Sequence, residues 1–285
     1  SGTYNGGISG KVKGALGLVQ GFFQSLGLVR RYHPVAMVGF GGYPSAPPLF
    51  AGQVMGIPTI LHEQNAILGL ANKLLAPLAK KIALSYAMTT GLSPAATAKS
   101  VYTGNPVRQA IADLASVPYP ETDPKITFMV VGGSQGARVF SEVIPAALAA
   151  LPMEIQRRVH VVQQSRPEAM DAVRAIYQNT EIDFEIKSFF DDMPDRIRDT
   201  NLFITRSGAS TVAELTAAGR PAIYVPFPWN RDNQQVFNAE QVTKAGGGWM
   251  ILEKDLTVEA VMALLTPVLS SPDSLVQAAR NARNC

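Results

Sequence analysis

Cysteine is almost absent: one residue in 285, and it is the last, Cys285. Without a partner for it, a disulfide framework and a Cys-rich metal site are excluded, and a reducing compartment fits best. Charge is also sparse, at 16% against 47% hydrophobic residues, which excludes a disordered chain and leaves a globular one. Long apolar runs are missing. Each is broken by Lys, Gln, Gly or Pro before the ~20 residues that a membrane-spanning helix needs. No signal-peptide pattern occurs, and the first residue is Ser1, not methionine. Neither a helix-turn-helix, a zinc spacing nor a basic stretch interleaved with aromatics is present, so nothing points to nucleic acid. No repeat of solenoid period appears.

What is present is a charge asymmetry and a rhythm. The net charge of +3 divides into +7 for Ser1–Pro118 (9 Lys+Arg against 2 Asp+Glu) and −4 for Tyr119–Cys285 (16 against 20). A basic half beside an acidic one suits an anionic lipid surface or an acidic substrate. From Pro34 onward, short β-branched runs alternate with helix-like stretches: "VAMVGF" and "IPTILHEQ" read as strands, "PLFAGQVMG" as a helix stopped by Gly56. "LGLANKLLAPLAKKI" (68–82) reads as one helix with its basic end at the C-terminus, where the helix dipole favours cations. "SVPYPETDP" (116–124), with three prolines and two acids, interrupts the rhythm and predicts a boundary between domains 1–118 and 119–285. The alternation then resumes with "KITFMVV", "RVHVVQQS", "FEIKSFF", "NLFIT" and "AIYVPF" as strands. Strand–helix alternation of this kind predicts an α/β chain with doubly wound parallel sheets, in two domains facing a cleft lined by strand C-termini.

Three glycine-bearing turns each follow a strand and open a helix: "GFGGYPS" (39–45), "VGGSQGAR" (131–138) and "TRSGAST" (205–211). Glycine admits close backbone approach, and a helix N-terminus offers free N–H groups and partial positive charge, so each suits phosphate. None is GxGxxG or a P-loop, and each is also what a tight βα turn requires. In "RSGASTVAELTAAGRPAIYVPF" (206–227), Glu214 falls one or two turns into a helix beginning near Ser210. A carboxylate there gains roughly 0.3–1 kcal/mol from the dipole; it also matches the paired hydroxyls of a ribose, with Arg206 and Ser207 toward a diphosphate. "PFPWNRDNQQVFNAEQV" supplies Asp232, Asn233, Gln234, Gln235 and Asn238 entering a helix, as caps or as partners for sugar hydroxyls. "ILHEQNAILG" places His62, Glu63, Gln64 and Asn65 after a strand, where His62 beside Glu63 could orient or deprotonate a hydroxyl.

Near the N-terminus Val12, Leu16, Val19 and Phe23, widened by Phe22, Leu26 and Val29, form a helical apolar stripe flanked by Lys11, Lys13, Arg30 and Arg31. Such a stripe faces a core, or lies in a membrane interface with its basic flanks on anionic lipid. The +7 charge of this half favours the second reading.

The pieces "GFGGYPSAP", "GIPTILHEQNAILGLANK", "TGNPVR", "VVGGSQGAR", "FFDDM", "RSGASTVAELTAAGRPAIYVPF" and "DNQQVFNA" together span nearly the whole chain. In this order they resemble the MurG family of bacterial cell-wall glycosyltransferases, which add N-acetylglucosamine to the lipid-linked muramyl-pentapeptide precursor. The resemblance implies two Rossmann-like domains of the glycosyltransferase-B fold. It further implies an inverting transfer from UDP-N-acetylglucosamine with no cofactor and no obligatory bound metal, at the cytoplasmic face of the bacterial inner membrane as a peripheral protein. It assigns Glu214 to the ribose, and Phe190 to the uracil through its backbone. Ser134, Arg206, Ser210 and Thr211 go to the diphosphate, Gln234, Gln235 and Asn65 to the amino sugar, and Arg108, at the hinge between domains, to the donor. Ser210 stands where many relatives carry an apolar residue, which implies a backbone contact. The family's "GGTGGH"-like loop and its last, crossing helix have no counterpart in this sequence, so the first domain is expected to be incomplete. The general base is left unassigned, with His62 or Glu63 as the fallback. Two alternatives share the pattern: a non-transferase enzyme such as a UDP-N-acetylglucosamine 2-epimerase, and a non-catalytic scaffold derived from the transferase.

Overall fold

Strands rich in Val, Ile, Leu and Phe that are apolar on both faces need helices on both sides, and they assemble here into two all-parallel sheets. The computed structural model describes residues 8–122, 124–133, 136–228 and 232–285. The chain forms two compact units, 1–105 and 106–285.

The first unit runs α1 (Ile8–Tyr32), β1 (Met37–Gly39), α2 (Ala46–Val54), β2 (Thr59–Glu63), α3 (Leu70–Leu75), β3 (Lys81–Leu84), α4 (Pro94–Thr97) and β4 (Ser100–Tyr102). Its four strands lie in sequence order. Leu49, Leu61, Leu75, Ile82 and Leu84 form its core. The helix expected over 68–82 ends early. Pro77 has no N–H and closes α3 in a single 3-10 turn, after which Lys81 opens β3. Lys99 takes over the role expected of Lys80 and Lys81: its Nζ lies 2.9 Å from both the Pro77 and the Ala79 carbonyl.

Helix α1 packs on α2, with Phe22 against Phe50 at 5.4 Å between ring centroids. Val29 and Ser25 are buried, whereas Leu16, Val19 and Phe23 are 63%, 54% and 65% exposed. The described part of the apolar stripe therefore faces outward and not into this unit's core. The side chains of Lys11, Val12 and Lys13 lie outside the described residues. No described helix is long and apolar enough to cross a membrane.

The second unit comprises α5 (Gln109–Ala112), β5 (Ile126–Val131), α6 (Arg138–Ala149), α7 (Met153–Gln156), β6 (Val159–Gln164), α8 (Met170–Tyr177), β7 (Asp183–Lys187), α9 (Met193–Asp199), β8 (Leu202–Thr205), α10 (Ala209–Ala217), β9 (Ala222–Tyr224), α11 (Gln234–Lys244), β10 (Gly248–Met250), α12 (Val258–Ser270) and α13 (Pro272–Arg283). Helix α13 has no counterpart among the sequence-based expectations. The strand order is β10-β9-β8-β5-β6-β7, a doubly wound sheet that reverses direction between β5 and β8. Phe140, Ile144, Ala147 and Leu148 of α6, spaced i, i+4, i+7 and i+8, are fully buried against this sheet. Residues 106–118, placed by the proline pattern in the first domain, go with the second unit: Ile111 and Leu114 are buried, and α5 packs on α9 and α10.

A buried arginine anchors the far end of this sheet. Arg220 is fully buried and donates to the carbonyls of Ile197, Ala218 and Arg198 at 2.8, 2.8 and 2.9 Å. These carbonyls end α9 and α10, where the dipole is negative. Burial pulls the guanidinium pKa down to about 10, against the opposing influence of the nearby Tyr119.

Candidate functional site

Where a doubly wound sheet reverses, the loops leaving neighbouring strands diverge and open a crevice. Here that point lies between Val131 of β5 and Thr205 of β8, which pair directly. A cavity of about 490 Å³ sits there, lined by Gly132, Gly136, Arg206, Thr211, Gln235 and Glu253 among others. The glycines are required by geometry. A Cβ on Gly132 would lie 2.0 Å from the Ala137 nitrogen, and Gly136 has φ +66°.

Helices α6, α10 and α11 start around this cavity, and no side chain caps any of the three. Capping normally claims the orphan N–H groups of a first turn. Gly136, Ala137 and Arg138 at the start of α6, and Gly208 and Thr211 at the start of α10, line the cavity wall. Such a wall is suited to an anion.

Arg206 is positioned tightly, though not as a free cation. Its guanidinium lies between the rings of Phe140 and Phe227, at 4.9 and 5.4 Å from their centroids. One terminal nitrogen donates to the carbonyls of Val225 and Pro226 at 3.1 and 3.4 Å, and the other forms a close ion pair with Glu253. The sequence pattern gives Arg206 to a diphosphate without a partner. Its charge is instead met by Glu253, in a 3-10 turn (Glu253–Asp255) beyond β10. A carboxylate soon after a strand end is the one signal available for Glu253, and nothing local ties it to Arg206.

Gln235 ties two strand ends together. Its Oε1 accepts from the Ser207 and Phe227 backbone N–H groups at 3.2 and 3.0 Å, and its carbonyl accepts from Ser207 Oγ at 2.8 Å. Asn238 Nδ2 donates to the Ser207 carbonyl at 3.2 Å. Of the Gln235 amide, the NH2 end alone is left for a ligand. Gln234 opens α11, Thr211 lines the cavity, and Ser210 is exposed on the first turn of α10. Ser134 lies outside the described residues.

Glu214 projects from α10 one turn beyond Thr211, on the same face. Its Oε1 accepts from Arg108 Nε at 3.1 Å, a pairing across 106 residues of sequence. Phe190 is buried, between β7 and α9, with Arg196 5.2 Å and Lys187 5.7 Å from its ring centroid. Arg196 binds Glu185 through both terminal nitrogens and Asp192 through Nε, and this pairing lowers the Glu185 pKa.

His62, Glu63 and Asn65 belong to the first unit. Glu63 is buried and accepts four hydrogen bonds: from Asn65 N and Nδ2, both at 3.1 Å, from Gly69 N at 2.9 Å and from Asn72 Nδ2 at 2.8 Å. His62 is buried as well; its Nε2 donates to the Gly104 carbonyl at 3.1 Å, so Nδ1 accepts from the Gln64 amide at 3.1 Å. Neither group is open to take a proton from a substrate. This geometry argues against the fallback assignment of the general base to either residue.

Comparison with known proteins adds a family to this geometry. The sequence profile of the glycosyltransferase family 28 C-terminal domain matches residues 127–284, and that of its N-terminal domain residues 1–84. The chain is 44% identical to the UDP-N-acetylglucosamine--N-acetylmuramyl-(pentapeptide) pyrophosphoryl-undecaprenol N-acetylglucosamine transferase of Paramagnetospirillum magneticum, over 98% of this chain and 77% of the relative. Its identity to the protein of the same name from Rhodospirillum centenum is 43%, over 99% and 75%. Among solved structures it superposes on Acinetobacter baumannii MurG with a TM-score of 0.79 at 28% identity, covering 95% of this chain and 76% of that one. A putative UDP-N-acetylglucosamine 2-epimerase from Listeria monocytogenes shares the fold alone, with a TM-score of 0.66 at 15% identity over 93% and 74%.

Proposed function

This chain belongs to glycosyltransferase family 28, and from that premise we infer that it is an N-acetylglucosaminyltransferase of peptidoglycan synthesis. It transfers N-acetylglucosamine from UDP-N-acetylglucosamine to the undecaprenyl-diphosphate-linked N-acetylmuramyl-pentapeptide. The observation that carries the inference is 44% identity to a transferase of that name along 98% of the chain. The 2-epimerase reading has only a fold likeness at 15% identity behind it.

Within that activity the second unit takes the donor and the first the lipid-linked acceptor. The diphosphate lies against the uncapped starts of α6 and α10, where N–H groups stabilise charge developing on the departing UDP. Glu214 takes the ribose hydroxyls, the Phe190 backbone the uracil, and the NH2 end of Gln235, with Gln234 and Asn65, the amino sugar. Ser134, Ser210 and Thr211 are assigned to the diphosphate. The role of Arg206 is to brace the wall: held by Glu253 and two carbonyls, it fixes the loop that carries Phe227. The acceptor hydroxyl attacks the anomeric carbon from the face opposite UDP, giving inversion.

Peripheral attachment to the cytoplasmic face of the inner membrane is supported by the outward-facing Leu16, Val19 and Phe23 of α1, with Arg30 and Arg31 in its last turn. The activity is tested with radiolabelled UDP-N-acetylglucosamine and a lipid-linked muramyl-pentapeptide. Transfer of label to the lipid is expected, and epimerisation of the donor without transfer would replace this reading by the second one.

A further inference from the structure

Both contacts between Arg108 and Glu214 converge on one oxygen. Nε lies 3.1 Å and the terminal Nη2 3.0 Å from Glu214 Oε1. The pair is thus not the two-on-two fork that a guanidinium and a carboxylate form at their strongest. It is also open to water, with the Arg108 side chain 57% and the Glu214 side chain 20% exposed, and an ion pair of that kind is easily given up.

A vicinal diol binds a carboxylate by donating one hydroxyl to each oxygen. If Glu214 takes the ribose, as inferred above, the diol and Arg108 compete for Oε1, and the exchange between them rests on that assignment. The backbone of Arg108 does not yield. Its carbonyl accepts from Ile111 N at 2.9 Å and from Ala112 N at 3.0 Å, and Ile111 is fully buried. Only the side chain is free to move. One turn toward the start of α10 from Glu214 lies Thr211, in the cavity wall suited to an anion. A guanidinium displaced from Glu214 therefore has a new anionic partner at hand only when the incoming molecule carries phosphate.

We propose that Arg108 is an exchange ligand that selects nucleoside diphosphates over nucleosides. It pairs with Glu214 until a nucleotide arrives, cedes Oε1 to the ribose, and moves its guanidinium to the diphosphate of the same molecule. A nucleoside without phosphate must break the pair and offers nothing in return. Arg108 thus opposes uridine and favours UDP.

The test measures uridine binding by ligand-observed NMR and UDP binding by calorimetry, on the unaltered chain and on Arg108→Gln and Glu214→Ala variants. Arg108→Gln is expected to bind uridine about two- to fivefold more tightly, because a weak exposed competitor is gone. The same variant is expected to bind UDP about tenfold more weakly, because a charge-assisted phosphate contact is lost. Opposite signs for the two ligands carry the proposal. If both affinities fall together, Arg108 merely holds Glu214 in place, and if neither moves, the pair is incidental; either result overturns the exchange. Glu214→Ala separates the two layers. If uridine affinity is unchanged in that variant, the ribose assignment fails and the exchange falls with it. If it drops while Arg108→Gln weakens both ligands, the exchange alone fails. Unchanged thermal midpoints, expected for exposed side chains, show that the variants remain folded.

Discussion

Glu63 and Glu214 both stand near a parallel strand's C-terminal end, one closing β2 and the other in the helix that follows β8, yet they are used in opposite ways. Glu63 is buried, and its two oxygens are filled by four donors from its own neighbourhood. Glu214 is partly exposed and accepts from one side chain, through one oxygen. A carboxylate saturated by nearby backbone and amides holds a loop in shape. A carboxylate with an unfilled oxygen and an exposed, replaceable partner is equipped to bind. Residue type and topological position are alike for both; satisfaction of the lone pairs decides between scaffold and site.

The sharpest way to break this contrast is to remove each carboxylate and ask which property is lost. Glu214→Ala is expected to weaken UDP-N-acetylglucosamine binding roughly hundredfold, since two hydrogen bonds to a charged group are worth about 1.5–3 kcal/mol each. Its thermal midpoint should barely move. Calorimetric titration beside a melting curve reads both, and a lowered midpoint with intact affinity would reverse the roles. Glu63→Ala should do the converse, costing the first unit about 2–3 kcal/mol because four buried donors lose their acceptor. Chemical denaturation followed in that unit measures this.

Arg206 and Glu253 extend the comparison to a saturated cation. Glu253→Gln keeps the shape of the side chain and removes its charge, and is expected to cost about 1–2 kcal/mol of stability in the second unit. A larger effect on UDP affinity than on the denaturation midpoint would move Arg206 from brace to direct ligand. The smallest effect is expected at Glu185. Its pKa is lowered chiefly by the hydrogen bonds from Arg196, so it binds fewer protons folded than unfolded in the acid range. The resulting stability is present above the ordinary carboxylate pKa and is lost as pH falls through the depressed one. Because the pair is partly exposed, this amounts to at most about 1 kcal/mol. Glu185→Gln should flatten the acid side of the stability–pH curve and leave the neutral plateau nearly unchanged.

Much of the fold is legible in the alternation of β-branched runs with helical stretches, because strands covered on both faces must be apolar throughout. The exceptions have local causes. Over 68–82 the apolar spacing continues past Pro77, but the backbone cannot, and the lysines that look like a helix end begin a strand instead. The second unit starts earlier than its proline pattern suggests, because prolines near 118 mark a bend in the chain, whereas Ile111 and Leu114 are already committed to that unit's packing. At the site, Glu214, Gln235 and the glycine turns stand out from their own neighbourhoods. Their partners do not: Arg108 lies 106 residues from Glu214, and Glu253 meets Arg206 only because β9 and β10 place their trailing loops side by side. Pairings across such separations have no periodicity to betray them.

The reversal point between β5 and β8 has a consequence for how the donor pocket comes into being. Val131 and Thr205 are neighbours in the sheet, although β6 and β7 both come between them along the chain. Neither loop can shape the cavity until that long excursion has closed, and closing it is among the slower steps open to a chain of this topology. A nascent or partly folded second unit therefore has no donor pocket to offer. Donor binding, which stabilises only the state that binds it, becomes a marker of completed sheet assembly: a chain protected from protease by UDP is one in which β8 has already found β5.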